Sequence, residues 1–217
     1  MPRAALFDLD RTLVRKETAS LYVRYQRDKG EANLRDLARV LYWVGQYTLG
    51  VIDAPVVAVK ALKSYTGMKE SLLRAKCEEF FTGYVERHIA ELGREAVRRH
   101  QAAGDLVAIV TGATHYVADP LARLLGIEHV VASELEVDPD GCFTGRPVEP
   151  LSIGYGKVVR TERLARALDF RIAEATFYSD SLTDLPLLER VQTPMVINPD
   201  PRLARVARRR GWQVERW

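Results

Sequence analysis

At 217 residues, 47% of them apolar and 28% charged, the chain has the composition of an ordinary globular protein, which excludes a disordered or fibrous one. Its length suits one sizeable core with a smaller inserted module and excludes two large independent domains. The formal net charge of +3, from 32 basic and 29 acidic side chains, singles out no nucleic-acid partner, and Cys77 and Cys142 form neither a disulfide framework nor a zinc pattern.

The expected compartment is a reducing cytoplasm. The apolar stretch at the N-terminus is broken by Asp8 and Asp10 too early for a signal peptide. Val40 to Ile52, the longest uncharged run, is shorter than the ~20 apolar residues of a membrane span, so no span is expected.

Taken in chain order, Ala4 to Phe7 is a short apolar run ending in acids, and it reads as a buried strand. Asp105 to Val110 is a second, ending in Thr111-Gly112. Ala175 to Tyr178 is a third, ending in Ser179-Asp180, and Pro194 to Ile197 a fourth, ending in Asn198-Pro199. Helical segments are predicted at Thr114 to Leu125, with Thr114 as N-cap, and at Lys157 to Leu168, Thr183 to Arg190 and Pro201 to Arg210. This alternation predicts βαβ units in a parallel sheet, with polar residues gathered where such sheets bind ligands. Glu134 to Val148, with its Asp138-Pro139-Asp140-Gly141 turn signal, reads as an antiparallel hairpin.

The first two strands are separated by nearly a hundred residues of mostly helical pattern. Leu34, Leu37, Ala38, Leu41 and Tyr42 recur at helical spacing, as do Leu72, Leu73, Cys77, Phe80 and Phe81. Residues 15–88 therefore read as an inserted helical cap over the strand ends, able to close on a ligand and exclude water, with 1–14 and 89–217 forming the core.

Four separated motifs lie where the predicted strands end. Asp8-Leu9-Asp10-Arg11-Thr12 carries two carboxylates that repel unless a cation or shared proton intervenes. Mg2+ suits them, because it takes oxygen ligands and is usually held by one or two carboxylates with substrate phosphate. Thr111 with Gly112, Lys157, and the acidic pair Asp180 and Asp184 supply the other groups that phosphoryl transfer requires. Read singly, DLD could merely end a strand, Lys157 could be a surface lysine, and Asp184 could be a first-turn helix acid.

In this order and spacing the motifs resemble the haloacid dehalogenase superfamily of phosphohydrolases, subfamily IB, the group that includes phosphoserine phosphatase. DxDxT is matched by Asp8, Asp10 and Thr12, the strand-end hydroxyl by Thr111, the basic residue by Lys157, and the acidic pair by Asp180 and Asp184. The resemblance implies an α/β fold: a Rossmann-like parallel sheet core with an inserted helical cap of the C1 type and a β-hairpin. It also implies a magnesium-dependent phosphate monoester hydrolase acting on a small molecule through an aspartyl-phosphate. Asp8 would be the nucleophile and Asp10 the acid and base. Thr111, the Gly112 amide and Lys157 would hold the phosphoryl group. Asp8, the Asp10 main-chain carbonyl and Asp180 would hold Mg2+, with Asp184 orienting Lys157 or a metal-bound water.

Substrate identity is less legible. Glu17 occupies a site like that of the phosphoserine phosphatase glutamate that meets the substrate ammonium, although a helix-start acid would look the same. Ser179 and the SDSLTD run depart from the usual GDGxND, and no cap arginine is assignable for a substrate carboxylate, Arg24, Lys60 and Lys63 being candidates. Phosphoserine or another amino-alcohol phosphate is the expected substrate; a lipid-like or nucleotide phosphate, or transfer to an acceptor alcohol, remains open. The aromatic run Tyr42, Trp43 and Tyr47 fits a cap core, His115 is not assigned a catalytic role, and Arg202, Arg205, Arg208, Arg209 and Arg210 read as a solvated helix face.

Overall fold

The computed structural model describes residues 3–31 and 63–217. Seven strands form one sheet in the order β4-β3-β2-β1-β5-β6-β7. They are β1 (Ala4–Phe7), β2 (Leu106–Thr114), β3 (His129–Val137), β4 (Phe143–Val148), β5 (Thr176–Ser179), β6 (Thr193–Ile197) and β7 (Gln213–Glu215). All neighbours pair in parallel except β3 and β4. The chain moves from β1 outward to β2 and β3, then crosses to β5 on the other side of β1. The sheet thus reverses direction beside β1, the position where open α/β sheets form a ligand crevice.

The apolar runs are continuous because both faces of the sheet are covered. Ala5, Phe7, Val107 and Ile109 pack into one layer, with Ala96 and Val97 of α3 (Glu91–Ala102) and Ala118 and Leu121 of α4 (His115–Leu125). The alternate residues Ala4, Leu6, Ala108 and Val110 face the other layer. There they meet Val158 of α5 (Tyr155–Ala167), Leu187 of α6 (Leu185–Leu188) and Leu203 of α7 (Pro201–Arg210).

Between β1 and α3 the described chain forms α1 (Thr18–Asp28), α2 (Glu70–Phe80), a π-helical turn (Phe81–Val85) and a 3-10 turn (Glu86–His88). The segment leaves and rejoins the core at one point. The Arg15 N–H donates to the His88 carbonyl at 2.8 Å and the Ala90 N–H to the Leu13 carbonyl at 2.8 Å. Leu73, Cys77 and Phe80 form the buried stripe of α2, whereas Leu72, included in the predicted stripe, faces solvent. The predicted helix around Leu34 to Tyr42, the aromatics Trp43 and Tyr47, the Val40 to Ile52 run, and Lys60 lie outside the described residues. Among the described residues no helix is long and apolar enough to cross a membrane.

The hairpin forms as its turn chemistry predicts. Glu134 opposes Val148, Asp138 Oδ1 accepts the Asp140 and Cys142 N–H groups at 3.0 and 2.8 Å, and Gly141 has φ +74°. Other boundaries differ from the sequence reading. β2 runs past Val110 through Thr114, with a register shift against β3 between Val110 and Thr114, the stretch that holds Thr111 and Gly112. The predicted helix Thr183 to Arg190 is a 3-10 turn (Leu182–Asp184) followed by the four residues of α6, where Pro186 removes a backbone donor. Helix α3 and strand β7 were not foreseen; β7 is a three-residue edge strand with little apolar pattern.

Candidate active site

The adjacent strands β2, β1 and β5, with the starts of α1 and α5, deliver the polar residues into one cavity of about 210 Å3. Asp8, Asp10, Glu17, Thr111, Gly112, Lys157, Asp180 and Asp184 all line it, so the residues assigned catalytic, substrate or metal roles from sequence are brought together there. Asp8 follows the last residue of β1 and is fixed by its own N–H, which donates to the Tyr178 carbonyl of β5 at 2.8 Å.

Lys157 is the electrostatic centre. Its Nζ donates to Asp8 Oδ1 at 2.8 Å and to Asp184 Oδ2 at 2.7 Å, with all three side chains under a tenth exposed. Burial works against the ammonium, but the Asp184 and Asp8 carboxylates outweigh it and hold the lysine pKa above its ordinary value. Lys157 reaches this position because α5 packs closely on the preceding loop. A Cβ on Gly156 would lie 1.8 Å from the Leu151 carbonyl oxygen, so only glycine fits there. Asp184 also accepts the Ser179 hydroxyl at 2.7 Å. It therefore sits between a lysine and a serine, and makes no side-chain cap to the helix it precedes.

Burial raises the Asp8 carboxyl to about 7, Asp184 adding to the effect and Lys157 opposing it. Asp180 is raised by burial and then by Asp8 and Asp184, with Arg11 Nε 3.3 Å away as a partial counter-charge. Among the described residues, five carboxylates line the cavity against two cationic side chains, Lys157 and Arg11. A phosphate would deepen that deficit. Among the described residues no three acidic, histidine or cysteine groups converge as a self-sufficient metal cage. The donor set instead fits Mg2+, which takes one or two carboxylates and completes its shell with water and phosphate oxygens.

Asp10 is held differently. Its Oδ1 accepts the Thr18 N–H at 2.7 Å, so it supplies the cap for the first turn of α1. Glu17, although in the N-cap position, makes no side-chain cap bond and is exposed at the cavity rim. Burial pushes the Asp10 carboxyl up, and the Thr18 hydrogen bonds partly offset this. Thr111 Oγ1 accepts the Ala113 N–H at 3.1 Å, which leaves its hydroxyl proton available. Gly112 is pinned by its carbonyl, which accepts the Ser133 hydroxyl at 2.9 Å while Ser133 Oγ accepts the Ser152 N–H at 3.1 Å.

Several contributors carried no role in the sequence reading. Arg11 and Asn198, at φ 54° and 43°, clasp each other: Arg11 Nη2 donates to the Asn198 carbonyl at 3.1 Å and Asn198 Nδ2 to the Arg11 carbonyl at 2.8 Å. Such left-handed non-glycine residues persist only where the surroundings fix them, and here they join the loops after β1 and β6. Ser133 and Ser152 had no motif to mark them. His115 pairs with Asp119 on α4 at 3.3 Å and does not line this cavity. Arg24 lies 3.7 Å from Asp28 and Lys63 is exposed; neither reaches the cavity. The arginines of α7 point outward, Leu203 and Ala207 forming its buried side.

Residues 5–189 match the haloacid dehalogenase-like hydrolase family. A Neisseria meningitidis protein named Histidinol-phosphatase is 29% identical over 99% of this chain and 98% of its own length. A Mycobacterium tuberculosis protein named Phosphoserine phosphatase SerB1 is 34% identical over 97% of this chain and 70% of its own. Among solved structures, a Bordetella pertussis protein with unknown function aligns with a TM-score of 0.88 at 35% identity, covering 99% of this chain and 98% of that one. A phospho-aspartyl intermediate analogue of phosphoserine phosphatase shares the fold, with a TM-score of 0.69 at 18% identity over 98% and 92% of the two chains.

Proposed function

The chain belongs to the haloacid dehalogenase-like hydrolase family, and we propose that it hydrolyses a small phosphate monoester with Mg2+ through an aspartyl-phosphate on Asp8. The observation that carries this reading is the buried Lys157 bridge between Asp8 and Asp184, in a cavity where, among the described residues, carboxylates outnumber cations. Relatives named for histidinol phosphate and phosphoserine support an amino-alcohol phosphate as substrate class. Glu17, free of a capping bond at the rim, is suited to the substrate ammonium.

An Asp8 carboxylate oxygen attacks phosphorus and the ester P–O bond breaks, the departing alkoxide taking the proton of Asp10. Asp10 suits this because burial favours its protonated form. The ionised Asp10 then takes a proton from water, whose oxygen attacks phosphorus; the bond to Asp8 breaks and inorganic phosphate leaves. Lys157 offsets negative charge on Asp8 and on the transferring group, while the Thr111 hydroxyl and Gly112 amide donate to phosphoryl oxygens. Asp8, the Asp10 main-chain carbonyl and Asp180 would hold Mg2+, which supplies further neutralisation of the phosphoryl charge. Asp184 keeps Lys157 in position.

Residues 15–88 act in this reading as a cap over the cavity, hinged where Arg15 meets His88. A reducing cytoplasmic setting suits two cysteines that are both free. The test is metal and nucleophile together. Turnover should vanish with a chelator and return with Mg2+ but poorly with Ca2+, and acid quenching should trap labelled phosphate on the wild-type chain and none on Asp8→Asn. Labelled phosphate on Asp8→Asn, or equal turnover with both ions, would refute the reading.

A further inference from the structure

A second cavity, of about 380 Å3, adjoins the polar one, and the two share Asp10 and Gly112 as lining residues. Its walls come from both halves of the chain: Tyr22 on α1, Tyr65, Leu73, Cys77 and Phe80 from the rest of the described insert, and Leu135 from β3. The junction is chemically specific. A phosphoryl group held by Lys157, Thr111 and Gly112 in the polar cavity has its bridging oxygen at Asp10, the proton donor of the reading above. The carbon body beyond that oxygen then enters the second cavity.

Apart from Asp10, the described residues that line that cavity are uncharged and mostly apolar. No arginine, lysine or histidine is among its described lining residues. Burial raises the Tyr22 and Tyr65 phenols above their ordinary range and pushes the Cys77 thiol up to about 12, so these groups stay uncharged. Tyr22 stands edge-on to Phe80, ring centres 5.2 Å apart, a geometry that also receives apolar and aromatic ligands. At ~30 Å3 per water the space holds roughly a dozen waters, far more than the serine skeleton fills. A carboxylate entering it would lose hydration and find no counter-charge among the described lining residues.

We infer that the substrate is a phosphate monoester whose alcohol carries a carboxylate-free, apolar or aromatic body, recognised by this second cavity, and that phosphoserine is a poor substrate. The inference rests on the phosphatase reading and narrows it, because any ammonium is met at the Glu17 rim while the body is chosen by Tyr22, Tyr65, Phe80 and their neighbours.

The test uses the full chain with Mg2+ and three esters: phenylalaninol phosphate, phosphoserine and phosphoethanolamine. Each bears an ammonium, one adds an aromatic body, and one adds a carboxylate. The expected kcat/KM for phenylalaninol phosphate exceeds both others by at least about tenfold. Phenylalaninol alone should raise Tm and serine should not. Ala19→Phe introduces a ring from an exposed position of α1 that lines the second cavity; it should lower the ratio of phenylalaninol phosphate to phosphoethanolamine turnover by about tenfold or more. Phosphoserine turned over as well as phenylalaninol phosphate would overturn the inference and leave the phosphatase reading intact. An unchanged ratio in a folded Ala19→Phe would overturn it too. Failure to hydrolyse any ester, p-nitrophenyl phosphate included, would overturn the phosphatase reading and the inference with it. The substrate series decides the matter even where the variant does not fold.

Discussion

Lys157→Met leaves a side chain of similar length but removes the ammonium. Two charge-assisted hydrogen bonds, of 2.8 and 2.7 Å, disappear, and Asp8 and Asp184, whose side chains are 8% and 2% exposed, lose their shared counter-charge. Removing one partner of a buried ion pair costs about 3–5 kcal/mol. For a chain of this size each kcal/mol lowers Tm by ~2–4 °C, so a fall near 10 °C is expected at pH 8 without metal. The fall should shrink at pH 5. Without Lys157 the Asp8 pKa rises further above its unfolded value, so the folded variant binds a proton more tightly than the unfolded chain and gains stability as pH drops toward 4. Differential scanning calorimetry of both proteins in chelator at the two pH values measures this directly. Equal losses at pH 5 and pH 8, or a loss below about 2 °C, would refute the idea that Lys157 neutralises two buried carboxylates. Turnover should fall by about 10²–10³-fold, the scale of removing one transition-state donor.

The same carboxylates give the wild type a pH signature. Asp8 and Asp180 are raised to about 7 and about 8, so the metal-free protein should lose stability as pH rises from about 4 through 8, and saturating Mg2+ should flatten the slope in thermal unfolding. Gly156→Ala drives a Cβ to 1.8 Å from the Leu151 carbonyl, so it should cost about 1–3 kcal/mol in urea unfolding and reduce kcat by displacing Lys157. Glu17→Gln should raise KM for an amino-bearing phosphate about fivefold, the scale of an exposed charge pair, and leave KM for p-nitrophenyl phosphate unchanged; equal effects on both would make Glu17 structural.

The sheet was legible because its strands are buried on both faces: Ala4 to Phe7 and Ala175 to Tyr178 are mainly apolar runs ending in polar residues, and the structure sets those ends side by side. The edge escaped notice for the converse reason. Gln213 to Glu215 pairs only with β6 and shows its side chains to water, so no apolar pattern marks it. The gathered motifs were legible as strand ends, but the groups that hold them were not. Arg11 and Asn198 meet across 187 positions of chain, and Ser133 reaches Gly112 across 21. No local rule anticipates contacts of that span. The apolar cavity was hidden for the same reason, its lining coming from positions 10 to 151 with no shared period.

Asp10 joins these levels. A helix start needs an acceptor for its free N–H groups, and Glu17, the residue in the N-cap position of α1, does not provide one. Asp10 provides it from the loop after β1, through the 2.7 Å bond to Thr18. The residue that the mechanism asks to donate and recover a proton is thus also the anchor of the first helix of the insert. Thr18 and Tyr22 on that helix line the apolar cavity, so the position of its wall and the hydrogen bonding of the acid are set by one contact. On the proposed reading, selection of the leaving group and readiness of its proton donor would depend on the same helix, so that binding of the apolar body would help to place the acid.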